Sequence, residues 1–136
     1  MTIDLNRYKD YVEAVTSKTS NNLELLIARL RELDQSDPTM NVSLLLTSAT
    51  GLSGEAGEFN DIIKKLLFQN KTWNDDLKTH LSSELGDIGW YWVNACRALN
   101  LDPNTVLENN VTKLESRYPG GKFDPHFSEN RKEKDL

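Results

Sequence analysis

The amino-acid sequence predicts an all-α protein, an antiparallel helical bundle with a four-helix-bundle-like core that forms oligomers. Three observations carry the helical prediction. Apolar residues recur at spacings of three and four along most of the chain, which is the period of one helical face. No segment alternates apolar and polar residues as a half-buried strand does. The breaks between periodic stretches hold helix-starting residues, as at Asp75-Asp76 and Asp102-Pro103, where short acids and a first-turn proline suit the helix N-terminus.

The elements follow in order. Tyr8, Tyr11, Val12 and Val15 make a short first stripe. Leu23, Leu26, Ile27, Leu30 and Leu33 make a second, and Asn21 with Glu24 three residues on reads as its capping box. The second stripe predicts a helix from Asn22 to Asp34. Asp37-Pro38 reads as the start of a long helix that carries Leu44, Leu45, Leu52, Phe59, Ile62 and Leu66 to Gln69. After the linker NKTWN, Asp75 and Asp76 open a helix with Leu77, Leu81, Leu85, Ile88, Trp92, Ala95 and Leu99. Asn100 to Pro103 end it and cap the next, which holds Val106, Leu107, Val111 and Leu114 and closes at Tyr118-Pro119-Gly120-Gly121. The expected organisation is one domain over residues 1–136, with a motif-bearing core at about 41–123 and a polar tail at about 124–136.

Composition narrows the function classes. With 136 residues, 38% hydrophobic and 27% charged, the chain can bury one modest core. A net charge of −5 argues against nucleic-acid binding. Cys96 is the lone cysteine, so no internal disulfide forms and a reducing cytoplasm is the expected location. No apolar run approaches the roughly 20 residues of a membrane helix, and no secretory leader opens the sequence.

Two helices carry acids where their apolar faces lie. With Glu55 at 0° and about 100° per residue, Leu44, Leu52, Phe59, Ile62 and Leu66 fall within about 60° of it. Glu58 lies at the edge of that arc, and Lys65 lies close to Glu58. With Glu84 at 0°, Leu77, Leu81, Ile88, Ala95 and Leu99 fall within about 60°, while Asp87, Tyr91 and Asn94 line one flank. Helices joined by a short connection pack antiparallel. Each therefore brings a pair of carboxylates, three residues apart, to the shared seam. Four acids so close resist ionising together, and a divalent cation held by oxygens resolves the conflict. Hard oxygen ligands select Mg²⁺, with Mn²⁺ the close substitute. A di-iron bundle would use Glu-x-x-His, but His80 and His126 sit in neither acid pattern. Asp61 falls about 120° from Glu55 and ranks below the four acids. Gly51, Gly54, Gly57, Gly86 and Gly89 interrupt these two helices at up to about 1 kcal/mol each relative to Ala, for close packing or ligand approach.

The ordered set Glu55-Ala-Gly-Glu58, a 25-residue spacer and Glu84-Leu-Gly-Asp87 resembles the MazG-like nucleotide pyrophosphohydrolases of the all-α NTP pyrophosphatase superfamily. The segments GEAGEF, ELGDIGWYWVNACRALNLDP and NVTKLESRYPGGKF extend the likeness from about Leu44 to Phe123. One departure is Gly54, which stands where many members carry an additional glutamate. The resemblance implies hydrolysis of a nucleoside triphosphate, (d)NTP, to a monophosphate and pyrophosphate, by water attack at the α-phosphorus. Glu55, Glu58, Glu84 and Asp87 would be the metal ligands and catalytic acids, with Glu55 as the base. Lys65, Lys113 and Arg117 would hold phosphates, Asn94 and Asn110 would meet sugar or phosphate oxygens, and Tyr91 or Trp73 would stack on the base. Members place the active site at dimer contacts, and some pair again, so a homodimer or a dimer-of-dimers tetramer is expected. Trp90 and Val93, opposite the core face of their helix, agree with a second partner. Two alternatives remain open: a hydrolase of the alarmone ppGpp, and a non-catalytic helical interaction module.

Overall fold

The computed structural model describes residues 4–130. Every regular element among them is a helix. The chain divides into two compact units, Met1–Val42 and Ser43–Leu136.

The first unit holds α1 (Leu5–Val15), α2 (Lys18–Asn21) and α3 (Leu23–Ser36). Each begins at a side chain that accepts from the open first turn. Asp4 accepts from the Asn6 amide at 3.0 Å, Ser17 from Ser20 at 3.1 Å, and Asn22 from Leu25 at 3.1 Å. The cap of α3 is thus Asn22 rather than Asn21, which ends the separate short helix α2. None of the three helices has a buried residue. Tyr8, Tyr11 and Val15 stay at the surface, so the expected first stripe forms a helix but no core.

The second unit is built on α4 (Val42–Phe68) and α5 (Asp75–Ala98), followed by α6 (Pro103–Arg117) and α7 (Pro125–Glu129). Helix α4 starts at Val42, later than Asp37-Pro38 suggested. The Asp37 carboxylate accepts from the amide and hydroxyl of Thr39, and the Met40 amide returns to the Asp37 carbonyl. These bonds close a turn that outcompetes a helical start there. Asn70, at φ 52°, turns the chain out of α4 in the left-handed conformation that asparagine tolerates. Asn74 caps α5 by accepting from the Leu77 amide at 2.9 Å.

Helices α4 and α5 run antiparallel. Ile62 of α4 packs with Leu77 and Leu81 of α5, and Phe59, Ile63 and Leu66 close around them. Truncating a buried Leu or Ile of this kind to Ala costs about 2–5 kcal/mol. Helix α5 ends in a Schellman motif. Asn100 is left-handed at φ 53°, the Leu101 amide reaches the Cys96 carbonyl at 2.9 Å, and the Asn100 amide reaches that of Arg97 at 3.2 Å. Asp102 then caps α6 through the Thr105 amide and hydroxyl, with Pro103 at the start. The region expected as a polar tail forms α7, capped by Asp124. Residues 131–136 of that expectation lie outside the described residues.

The arc predicted for α4 is correct in side. Leu44, Leu52, Phe59 and Leu66 are partly buried and Ile62 is buried, whereas Lys64 is exposed. Trp90 and Val93 lie at the surface of α5, as do Leu107 and Val111 of α6. No helix of the described residues is long and apolar enough to cross a membrane.

Candidate metal centre

Antiparallel pairing of α4 and α5 sets the register of the acids. Gly51 lies against Tyr91, and a Cβ added at Gly51 would come 2.1 Å from the Tyr91 ring. About three turns further along α4, Ile62 meets Leu77 and Leu81. Between these contacts, Glu55 and Glu58 of α4 face Glu84 of α5. One carboxylate oxygen from each of the three lies within 4.8 Å of the others. Glu84 is buried, Glu55 is partly buried and Glu58 is exposed.

The electrostatics follow from this crowding. Loss of water raises the proton affinity of the Glu55 carboxyl above the usual carboxylate range, and the charges of Glu58, Asp87 and Glu84 raise it further. A hydrogen bond with Glu84 adds to the effect. Asp87 acts on Glu55 through its charge but is not one of the three acids whose oxygens converge. Three mutually close oxygen donors, one of them resisting ionisation, fit a hard divalent cation.

A cleft of about 340 Å³ opens beside this cluster. Gly54, Gly57, Glu58, Asp61, Ile62, Lys65 and His80 line it. No atom lies within 4 Å of where a Cβ on Gly54 or Gly57 would stand, so ligand atoms can approach the α4 backbone there. Asp61 pairs with both Lys64 and Lys65, and their ammonium groups hold its carboxyl down at about 2. That pairing keeps the Lys65 ammonium at the cleft. A groove of about 440 Å³ lies elsewhere, lined only by Asn104, Leu107, Glu108, Val111 and Thr112 of α6. It carries one acid and no convergence of polar groups, so the chemistry points to the smaller cleft.

The structure therefore brings Glu55, Glu58 and Glu84 together and puts Lys65 beside them. The other residues expected at substrate stand as follows. The Tyr91 ring lies on Gly51 and meets the Trp90 ring edge-on at 4.7 Å. Asn94 is buried, donating to the Trp90 carbonyl at 3.0 Å and accepting from Arg97 at 2.8 Å. Asn110, Lys113 and Arg117 lie along α6, and exposed Trp73 lies in the α4–α5 connection. None of these lines the acid-flanked cleft. One neighbour was missed from sequence. His80 lies one turn before Glu84, with Nε2 2.9 Å from Glu84 Oε1. The signal was the four-residue spacing, which puts the two side chains on one helical face.

Comparison with known proteins agrees with this arrangement. The family described as the MazG nucleotide pyrophosphohydrolase domain matches residues 45–121, a span that includes all four motif acids. The chain is similar to the Gene 37 protein of Mycobacterium phage L5, with 36% identity over 72 residues. That alignment takes in 52% of this chain and 63% of the relative, so it spans less than two thirds of the relative's length. No solved structure matches the chain.

Proposed function

The chain belongs to the MazG nucleotide pyrophosphohydrolase family, and on that footing we propose that it hydrolyses a nucleoside triphosphate to a monophosphate and pyrophosphate. The observation that carries this reading is the convergence of Glu55, Glu58 and Glu84 oxygens within 4.8 Å across two antiparallel helices. Mg²⁺ or Mn²⁺, held by these three with Asp87 as the fourth acid, would neutralise phosphate charge and lower the pKa of a nearby water.

The chain's own groups divide the remaining work. Glu55 is the base that takes the proton of the attacking water. Its carboxyl stands partly buried among the converging acids, where a positioned carboxylate can take a proton. Water adds to the α-phosphorus, the bond from that phosphorus to the bridging oxygen breaks, and pyrophosphate departs. Lys65, kept at the cleft by Asp61, faces the departing phosphates as a point charge. The bare backbone at Gly54 and Gly57 leaves space for phosphate oxygens. Tyr91, Asn94, Asn110, Lys113, Arg117 and Trp73 complete the proposed substrate contacts, those on α6 by way of a partner subunit.

The surface of the second unit supports a homodimer, or a tetramer made of two. Trp90 is 58% exposed, Leu107 53% and Val111 54%. Large apolar side chains at that exposure on two helices suit burial against a second copy. Sedimentation of the purified protein tests this, and a monomer at micromolar concentration refutes it.

The activity is tested by product chromatography with common NTPs, dNTPs and ppGpp, with Mg²⁺ and with EDTA. The expected result is monophosphate and pyrophosphate from a triphosphate, in Mg²⁺ alone. Diphosphate with orthophosphate places attack at the γ-phosphorus and refutes the proposal, and turnover confined to ppGpp replaces the substrate. No turnover with any of them leaves a non-catalytic helical module as the function.

A further inference from the structure

We infer that His80 is a positioning residue for the metal centre, holding Glu84 in the orientation from which it ligates the cation. The inference rests on the reading of Glu84 as a ligand and adds a residue outside the four-acid motif.

The argument begins with what surrounds Glu84. Its side chain is buried, and its neighbours in the cluster are the acids Glu55 and Glu58. Like charges drive a carboxylate away from such neighbours. His80 counters that tendency from the same helix, with its Nε2 2.9 Å from Glu84 Oε1. At that distance the two form a polar contact, attractive when the ring presents an N–H to the carboxylate oxygen. The ring is 56% exposed while the Glu84 side chain is 7% exposed. The imidazole thus reaches inward from the surface to hold a group that water cannot. A polar contact to a buried carboxylate also acts through a lower effective dielectric than one between solvated partners.

Position supplies the second line of argument. His80 lines the same cleft as Glu58 and Lys65, so its ring forms part of the wall beside the acids. Groups that hydrogen-bond to metal-ligating carboxylates fix their orientation, and losing one costs about 10–100-fold in metal affinity or activity. His80 stands in that relation to Glu84.

The test uses the full-length protein and Mn²⁺ alone, with free Mn²⁺ followed by electron paramagnetic resonance. His80→Ala is expected to raise the Mn²⁺ Kd about 10-fold, with far-UV circular dichroism unchanged because the ring is half exposed. His80→Gln keeps a side-chain donor and is expected to recover most of the affinity. In turnover, the half-saturating Mg²⁺ concentration rises in His80→Ala while kcat at saturating metal changes less. Glu84→Gln serves as the reference. If Glu84→Gln weakens Mn²⁺ binding but His80→Ala does not, the role of His80 is overturned and the metal centre stands. A His80→Gln variant as weak as His80→Ala also overturns it. If Glu84→Gln binds Mn²⁺ like the wild type, the metal-centre reading falls and takes this inference with it.

Discussion

Replacing Gly51 with alanine tests the contact that sets the register of α4 against α5. The added Cβ would stand 2.1 Å from Tyr91 Cε1 and 2.3 Å from two more ring atoms, whereas ordinary contact begins at 3.4 Å. The overlap is therefore about 1.3 Å, against a rigid ring rather than a flexible tip. Trp90 meets that ring edge-on and limits its retreat. Overpacking of this kind costs about 1–3 kcal/mol, and an overlap this large belongs at the upper end. Alanine returns about 1 kcal/mol in helix propensity, so the net loss is about 2 kcal/mol. For the unit from Ser43 to Leu136, with an unfolding entropy of about 0.2 kcal/mol/K, Tm falls by about 10 °C. Gly86→Ala is the control, since its Cβ would meet nothing within 4 Å, and it should raise Tm by about 5 °C. Thermal melts followed at 222 nm measure both. In a Tyr91→Ala background the clash is gone, and Gly51→Ala should then stabilise. A Gly51→Ala variant that melts at or above the wild type refutes the reasoning.

Four further outcomes are expected. Glu55→Gln abolishes Mg²⁺-dependent turnover with helicity retained, and wild-type activity in that variant sinks the metal centre. Because the folded protein raises the Glu55 proton affinity, the stability this group contributes is full below its ordinary value of 4.5 and is lost as pH rises through its higher folded value. In EDTA, the wild type should therefore lose Tm relative to Glu55→Gln as pH climbs from 4.5 to neutrality, and parallel curves would contradict this. Asp61 has the opposite sign, since its carboxyl is held down at about 2. Its contribution is present above 3.8 and is lost as pH falls toward about 2, so any advantage of the wild type over Asp61→Asn in urea melts should fade across that window. Lys65→Gln should lower kcat/KM for a triphosphate about 10–100-fold, the worth of one hydrogen bond to a charged group, with the fold unchanged by circular dichroism.

The helices of the second unit were largely legible because their signals are local. The apolar period of α4 and α5 and the cap at Asp102 need no partner to be recognised. The start of α4 was not, since Asp37-Pro38 suits a helix start and a turn equally, and the bonds from Thr39 and Met40 decide for the turn. Glu55, Glu58 and Glu84 could be grouped because the helical period sets each acid near an apolar arc. That Asp87 lies outside the converging group of three depends on distances between helices, which periodicity along one helix does not encode. The five glycines looked alike in the sequence. Only at Gly51 would a Cβ meet a neighbour, because only there does a ring from the opposing helix press on the backbone. His80 fits no Glu-x-x-His ligand pattern, and its four-residue spacing from Glu84 marks a neighbour of a ligand rather than a ligand.

The acid pairs lie well away from the Asn70–Asn74 connection that joins their helices. Glu55 is 13 residues before Phe68, or about 20 Å along the helix. The hairpin bend thus works as a distant fastener, set well apart from the acids it holds together. Doubling the length of a flexible loop costs only about 0.6 kcal/mol. Residues can therefore be gained or lost at the bend over evolutionary time while the register stays fixed by Gly51 on Tyr91 and by Ile62 between Leu77 and Leu81. The spacing between the two acid pairs is free to drift among descendants of such a hairpin, and the spacing within each pair is not.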